Sequence, residues 1–204
     1  MKSSIRAAAA AVAGASLLAL GGCASTQLEA QWKDPASARI LSGSRVLVAC
    51  DAFELVVRKI CEDKLSAEVR ARGATPVLPP ADTQIATDRG IDGQLLPAAR
   101  TAGARSILVV TLAVAATDVS QGFSIGIGGF GFGRSGGGGV GLGIPVGGGR
   151  VSQAYSANGR VTDVADGRLV WTAKATTPAS SDIDAQLTDL SKAVVDAAAT
   201  SGLF

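Results

Sequence analysis

The chain has 204 residues, of which 47% are hydrophobic and 18% charged, with 19 Lys+Arg against 17 Asp+Glu and no histidine. Without histidine, His-dependent triads, the usual general base near neutral pH and most catalytic zinc sites are excluded, so a non-enzymatic protein with no cofactor and no metal is expected. The 19 basic residues include Lys2 and Arg6, and removing a leader over 1–22 leaves 17 against 17 in 182 residues (204 less 22). A neutral mature chain without a Lys/Arg cluster argues against nucleic acid as a partner, and its length fits one domain with its own core.

Lys2 and Arg6 precede fourteen uncharged residues, 7–20, the charged and apolar parts of an export signal. At ~1.5 Å per residue that run reaches about 21 Å, short of a hydrocarbon core of roughly 30 Å, which argues against a membrane-spanning helix. Leu20-Gly21-Gly22-Cys23 then resembles the lipobox of bacterial lipoproteins, with a bulky aliphatic three residues before the cysteine and small residues between. The resemblance implies cleavage before Cys23 and acylation of its thiol. Two or three acyl chains, at ~0.8 kcal/mol per buried methylene, anchor a protein stably to a membrane. The rival is an ordinary signal peptide with an incidental cysteine. Ala24 stands where an aspartate would favour inner-membrane retention, so the outer membrane, periplasmic face, is the expected address.

Residues 23–44 read as a lipidated tether, with a short strand or docking arm at Gln27-Leu28-Glu29-Ala30-Gln31-Trp32-Lys33-Asp34-Pro35. The domain proper is expected over 45–204. Residues 45–50 are a short apolar run bounded by Ser44 and Asp51, a buried strand. Over about 54–72, Val57, Cys61, Leu65 and Val69 recur every fourth residue and Gly73 follows, which predicts a helix. A strand over 74–78 stops at Pro79-Pro80, a helix is predicted over about 91–102, and 106–112 is an apolar strand that continues as alternation toward Val119. A long strand over 150–164, a turn at Ala165-Asp166-Gly167-Arg168 and a return strand over 169–173 form a hairpin. Ile183, Leu187, Leu190, Val194 and Val195 share one face of a last helix over 183–200. The predicted class is α/β (α+β): order β-α-β-α-β-β-β-α, with helices covering a mixed sheet.

The insertion 122–149 has 15 glycines in 28 residues and one charge, Arg134. Phe123, Ile125 and Ile127 alternate, Phe130 and Phe132 resume after a phase shift, and Val140, Leu142, Ile144 and Val146 alternate on the way back. This predicts a protruding β-hairpin with its tip near 136–139, a mobile arm by preference. A subunit's share of an oligomeric barrel is the alternative, because a lone hairpin leaves open edges in lipid. Gly126-Ile127-Gly128-Gly129-Phe130-Gly131 fits G-x-G-x-x-G, yet the glycines run on where a helix would have to start, so no nucleotide site is expected. Asp182, Asp184 and Asp189 read as helix capping rather than metal ligands. Buried packing is the expected role of Trp32 and Trp171, with partner contact the alternative; Trp32, Phe130 and Phe132 are the candidate partner-binding residues. Cys50, at the end of the first strand, and Cys61, on the apolar face of the helix returning over it, are the candidate disulfide in an oxidising compartment, against a pair of buried free thiols.

The lipobox, a Trp-x-Asp-Pro arm (Trp32, Asp34, Pro35), a strand and helix with an acidic pair (Glu62-Asp63), and a late Asp-Gly-x-Leu-Val-Trp hairpin (Asp166, Gly167, Leu169, Val170, Trp171) together resemble an uncharacterised family of Gram-negative lipoproteins. The fold so implied is similar to the amino-terminal domain of TolB, the lipoprotein activators of penicillin-binding proteins and the curli-secretion lipoprotein. The resemblance implies a binding or scaffolding module of the envelope, with an envelope protein as partner and homo-oligomerisation open. The alternative function is a subunit of a pore or secretion assembly.

Overall fold

A computed structural model describes residues 25–80, 83, 90–119 and 151–204. The elements run β1 (Gln27–Lys33), β2 (Arg45–Asp51), α1 (Leu55–Ala71), β3 (Thr75–Val77), α2 (Ile91–Thr101), β4 (Ser106–Val119), β5 (Val151–Asp163), β6 (Leu169–Thr176) and α3 (Ile183–Thr200). They build one α+β domain around a six-stranded mixed sheet of order β1-β6-β5-β4-β2-β3. From β2 onward the order is the predicted β-α-β-α-β-β-β-α.

β2 is an unbroken apolar run because it is covered on both faces. Val46, Val48 and Cys50 join Leu108 and Val110 of β4 in a core beneath α1 and α3. Leu47 and Ala49 join Ile107 and Val109 in a smaller core beneath α2. β2 pairs in parallel with β3 and β4, whereas β4, β5, β6 and β1 pair antiparallel. In that antiparallel half α3 covers one face, and the other presents Asn158, Arg160, Thr172, Lys174 and Thr176, hence the alternation of the later strands.

Each helix obeys its stripe. Val57, Cys61, Leu65 and Val69 of α1 are buried, as are Leu187, Leu190, Val194 and Val195 of α3. Gly73 (φ 81°) and Gly202 (φ 77°) end α1 and α3 in the left-handed region, where a Cβ would be strained. The following N–H groups close the ends: Ala74 N donates to Val69 O at 3.3 Å and Leu203 N to Ala198 O at 3.1 Å. The Trp171 indole, wholly buried under α3, donates to Ser201 Oγ at 3.1 Å.

Residues 27–44 belong to the sheet and core rather than to a free tether. β1 pairs with β6 from Gln27↔Thr176 to Lys33↔Trp171, and Ile40 and Leu41 are buried. Leu41 N donates to Leu203 O and Arg39 N to Gly202 O, both at 2.9 Å, which holds this stretch against the chain's end. The protruding hairpin expected over 122–149 lies outside the described residues.

Candidate functional site

β2 and β4 run side by side, and from their carboxyl ends the chain departs in different directions. β2 turns through Ala52-Phe53-Glu54 into α1, while β4 continues past it as a two-stranded ribbon with β5. Divergence at neighbouring carboxyl ends leaves a crevice. It is a cleft of about 310 Å³, floored by Leu112, Ala113 and Val114 of β4 with Gln153 and Tyr155 of β5, and walled by Ala52, Phe53, Glu54 and Val57.

The wall is fixed locally. Cys50 and Cys61 are joined by a disulfide with Cα atoms 6.1 Å apart, tying the end of β2 to the second turn of α1. Arg58 Nη2 donates to Ala52 O at 3.3 Å, and Arg58 N donates to Glu54 O at 3.0 Å. Around the cleft the apolar side chains face solvent: Phe53 is fully exposed, Leu55 65%, Val56 61% and Val114 52%. Leu55 and Val56 lie off the stripe that α1 buries, so the helix phase itself turns them outward.

The polar groups of the cleft are Glu54, Gln153 and Tyr155. Tyr155 Oη donates to Gln153 Oε1 at 2.9 Å. Burial pushes the Tyr155 phenol above its ordinary value, and the charge of Glu54 pushes it the same way. The lining thus holds one carboxylate and one phenol kept neutral, set among apolar and aromatic surface. A mostly apolar concavity with a few convergent polar groups is suited to recognition. A broader depression of about 520 Å³ lies at the other end of the sheet, lined by Arg100, Ala104, Arg105, Asp163, Val164 and Ala165. It is the larger of the two, but among the described residues none of the exposed large apolar side chains lines it.

Of the residues singled out in the sequence, Cys23, Phe130, Phe132 and the glycine pattern 126–131 lie outside the described residues. Cys50 and Cys61 are brought together as stated. Trp171 is buried, but Trp32 is 50% exposed, a correction to its expected burial: β1 is the sheet's edge strand, and α2 does not reach across to it. Asp182 caps α3, its Oδ1 accepting from Ala185 N at 3.0 Å, while Asp184 pairs with Lys64 at 2.9 Å. Among the described residues no group of three or more Cys, Asp or Glu is placed to hold a metal ion, and no helix is long and apolar enough to cross a membrane.

Two of the four motifs that carried the family resemblance, the Trp-x-Asp-Pro arm and the late hairpin, meet one another. Asp34 N donates to Val170 O at 2.9 Å, Asp34 Oδ1 accepts from Ala36 N at 2.9 Å, and Arg168 approaches Asp34 Oδ2 at 3.7 Å. Asp166 Oδ1 accepts from Arg168 N at 3.0 Å within the hairpin turn, and Glu62 is buried against Lys59 at 2.7 Å. These residues shape the fold. The cleft residues Phe53, Glu54, Gln153 and Tyr155 were missed, and their one sequence signal was the apolar run Phe53, Leu55, Val56 ahead of the helical stripe.

No protein-family model matches the chain, and no curated protein matches it. Among solved structures it is similar to the PelC dodecamer from Paraburkholderia phytofirmans, with 17% identity and a TM-score of 0.52, covering 83% of this chain and 94% of that one. A variant of the same dodecamer in another crystal form gives 17% and 0.52 over 85% and 96%. Lipoprotein GNA1162 from Neisseria meningitidis gives 13% and 0.40 over 77% and 99%. At such identities the PelC likeness is one of fold: this chain shares the PelC arrangement of sheet and helices.

Proposed function

We propose that this chain is an exported lipoprotein, held by acylated Cys23 on the periplasmic face of the Gram-negative outer membrane, whose domain is a non-enzymatic binding and scaffolding module. The observation that carries the reading is the cleft at the carboxyl ends of β2 and β4, with Phe53 and Val114 of its lining facing solvent and Leu55 and Val56 exposed at the start of the adjoining α1. Contiguous exposed apolar surface around a concavity marks interaction sites. The Cys50–Cys61 disulfide supports an oxidising compartment, and the lipobox at Leu20-Gly21-Gly22-Cys23 supports the anchor. The partner is an envelope protein; neither nucleotide, nucleic acid, metal nor cofactor has a part in the reading.

A second reading, self-assembly, is favoured by the fold shared with a protein that crystallises as a dodecamer. In it the envelope partner is another copy of the chain, and the segment 122–149 contributes to a shared pore. Sizing in mild detergent separates the two, since a monomer or dimer supports the adaptor and a ring of many subunits supports the assembly. The localisation is tested by mass spectrometry of the membrane fraction. A diacylglyceryl-modified Cys23 as first residue is expected, together with loss of membrane attachment in Cys23→Ser; an unmodified amino terminus elsewhere contradicts it.

A further inference from the structure

Among the described residues that line the cleft, Glu54 is the only charged one. That carboxylate is the N-cap residue of α1 yet makes no side-chain cap hydrogen bond, and among the described residues no cation forms an ion pair with it. Arg58, one turn further on, is directed to the Ala52 carbonyl instead. Phe53, the preceding residue, is fully exposed and lines the same cleft, together with the largely buried Tyr155 and the aliphatic Val57, Leu112 and Val114.

A cleft lined by a carboxylate, aromatic rings and aliphatic side chains is complementary to a cation on an apolar stem. A planar guanidinium satisfies both parts at once, because it pairs with a carboxylate through two N–H groups while stacking on a ring. Its methylenes lie along apolar surface. The rim of Leu55, Val56 and Val114 would then meet apolar residues around the inserted arginine, as at protein interfaces with a central anchor and surrounding contacts that exclude water. We infer that the cleft is the seat of an arginine side chain of a partner protein, with Glu54 as its counter-ion and Phe53 and Tyr155 as its aromatic contacts. This rests on the binding-module reading above and names the chemistry of the partner.

The test uses the full mature chain in detergent micelles, isotopically labelled, titrated with N-acetylargininamide and followed by amide chemical shifts. Saturable shifts confined to residues 52–54, 112–114 and 153–155 are expected. Affinity should fall by about fivefold or more in Glu54→Gln, since a charge-assisted pair is replaced by a neutral contact. Glu54 caps no helix N–H, so that variant keeps its fold. Phe53→Ala, at a position wholly exposed to solvent, should weaken binding severalfold as a second check. N-acetylnorleucinamide binding as tightly as the arginine compound, or an unchanged affinity in Glu54→Gln, overturns the inference. So does phosphoethanolamine competing equally, which would make the cation a lipid headgroup. A crosslinked partner at position 53 without arginine-selective shifts keeps the binding-module reading and removes this one.

Discussion

Gly159 of β5 lies so close beneath Val194 of α3 that a Cβ built on it would stand 2.6 Å from Val194 Cγ1, and 3.3 Å from Trp171 Cζ3. The approach of α3 to the sheet therefore depends on that glycine. Gly159→Ala is expected to lower stability by about 1–3 kcal/mol through overpacking. In a Val194→Ala background the added cost should shrink, because the atom it strikes is gone. Urea unfolding of the four proteins measures the coupling; additive losses would show that α3 shifts freely.

Closing the short loop between Cys50 and Cys61, 11 positions apart, restricts the unfolded chain and stabilises by about 3 kcal/mol in the chain-entropy account. Unfolding with reductant should therefore occur at clearly lower urea concentration than without. Alkylation of the oxidised protein after unfolding should find neither thiol. Equal midpoints, or two labelled thiols, would contradict the bridge.

Asp92, in the first turn of α2, pairs with Arg160 of β5. Burial holds its carboxyl above the usual carboxylate value, against the opposing pull of Arg160's charge and hydrogen bond. The folded protein thus holds this proton more tightly than the unfolded chain does. The contribution of Asp92 to stability must fall as pH rises from about 4 through the folded value, and level off above it. In Asp92→Asn that downward component should vanish. Glu29 and Asp166, whose partners hold them low, give the opposite slope in both proteins and cancel in the comparison. Identical stability–pH curves for the two proteins would refute the assignment.

Tyr155 is the chain's single tyrosine, so its ionisation can be followed directly by phenolate absorbance. It should titrate above the ordinary value of about 10, mainly because it is buried. Glu54→Gln removes the smaller, electrostatic cause and should move the titration part of the way back. An ordinary value in the native protein would mean that the phenol is solvated and the cleft more open than described.

Local periodicity made much of this fold legible. The double-sided run of β2, the every-fourth-residue stripe of α1 and the Asp166-Gly167 turn each encode their structure within a few residues. What depended on distant partners was not legible. Ile40 and Leu41 are an isolated apolar pair after Pro35 and Ser37, and they are buried in a core built from distant elements, with Leu41 N bonded to Leu203 O. The alternation of Gln27–Lys33 leaves a short strand and a docking arm equally open, because nothing local announces β6 as its partner. The cleft is assembled from the turn after β2 and from strands β4 and β5, far apart in sequence, so Glu54 and Tyr155 become neighbours only once the sheet order is known.

A lipid-anchored domain that offers this cleft to a partner in the envelope must meet that partner at position 53. The most direct measurement places a photocrosslinking phenylalanine analogue at position 53, and separately at exposed position 105 at the other end of the sheet, in the full-length chain in intact Gram-negative cells. A discrete adduct in the membrane fraction from position 53, absent from position 105 and lost in Cys23→Ser, is the predicted result. No adduct from position 53, or the same products from both positions, would show that the cleft is not a docking site in the envelope.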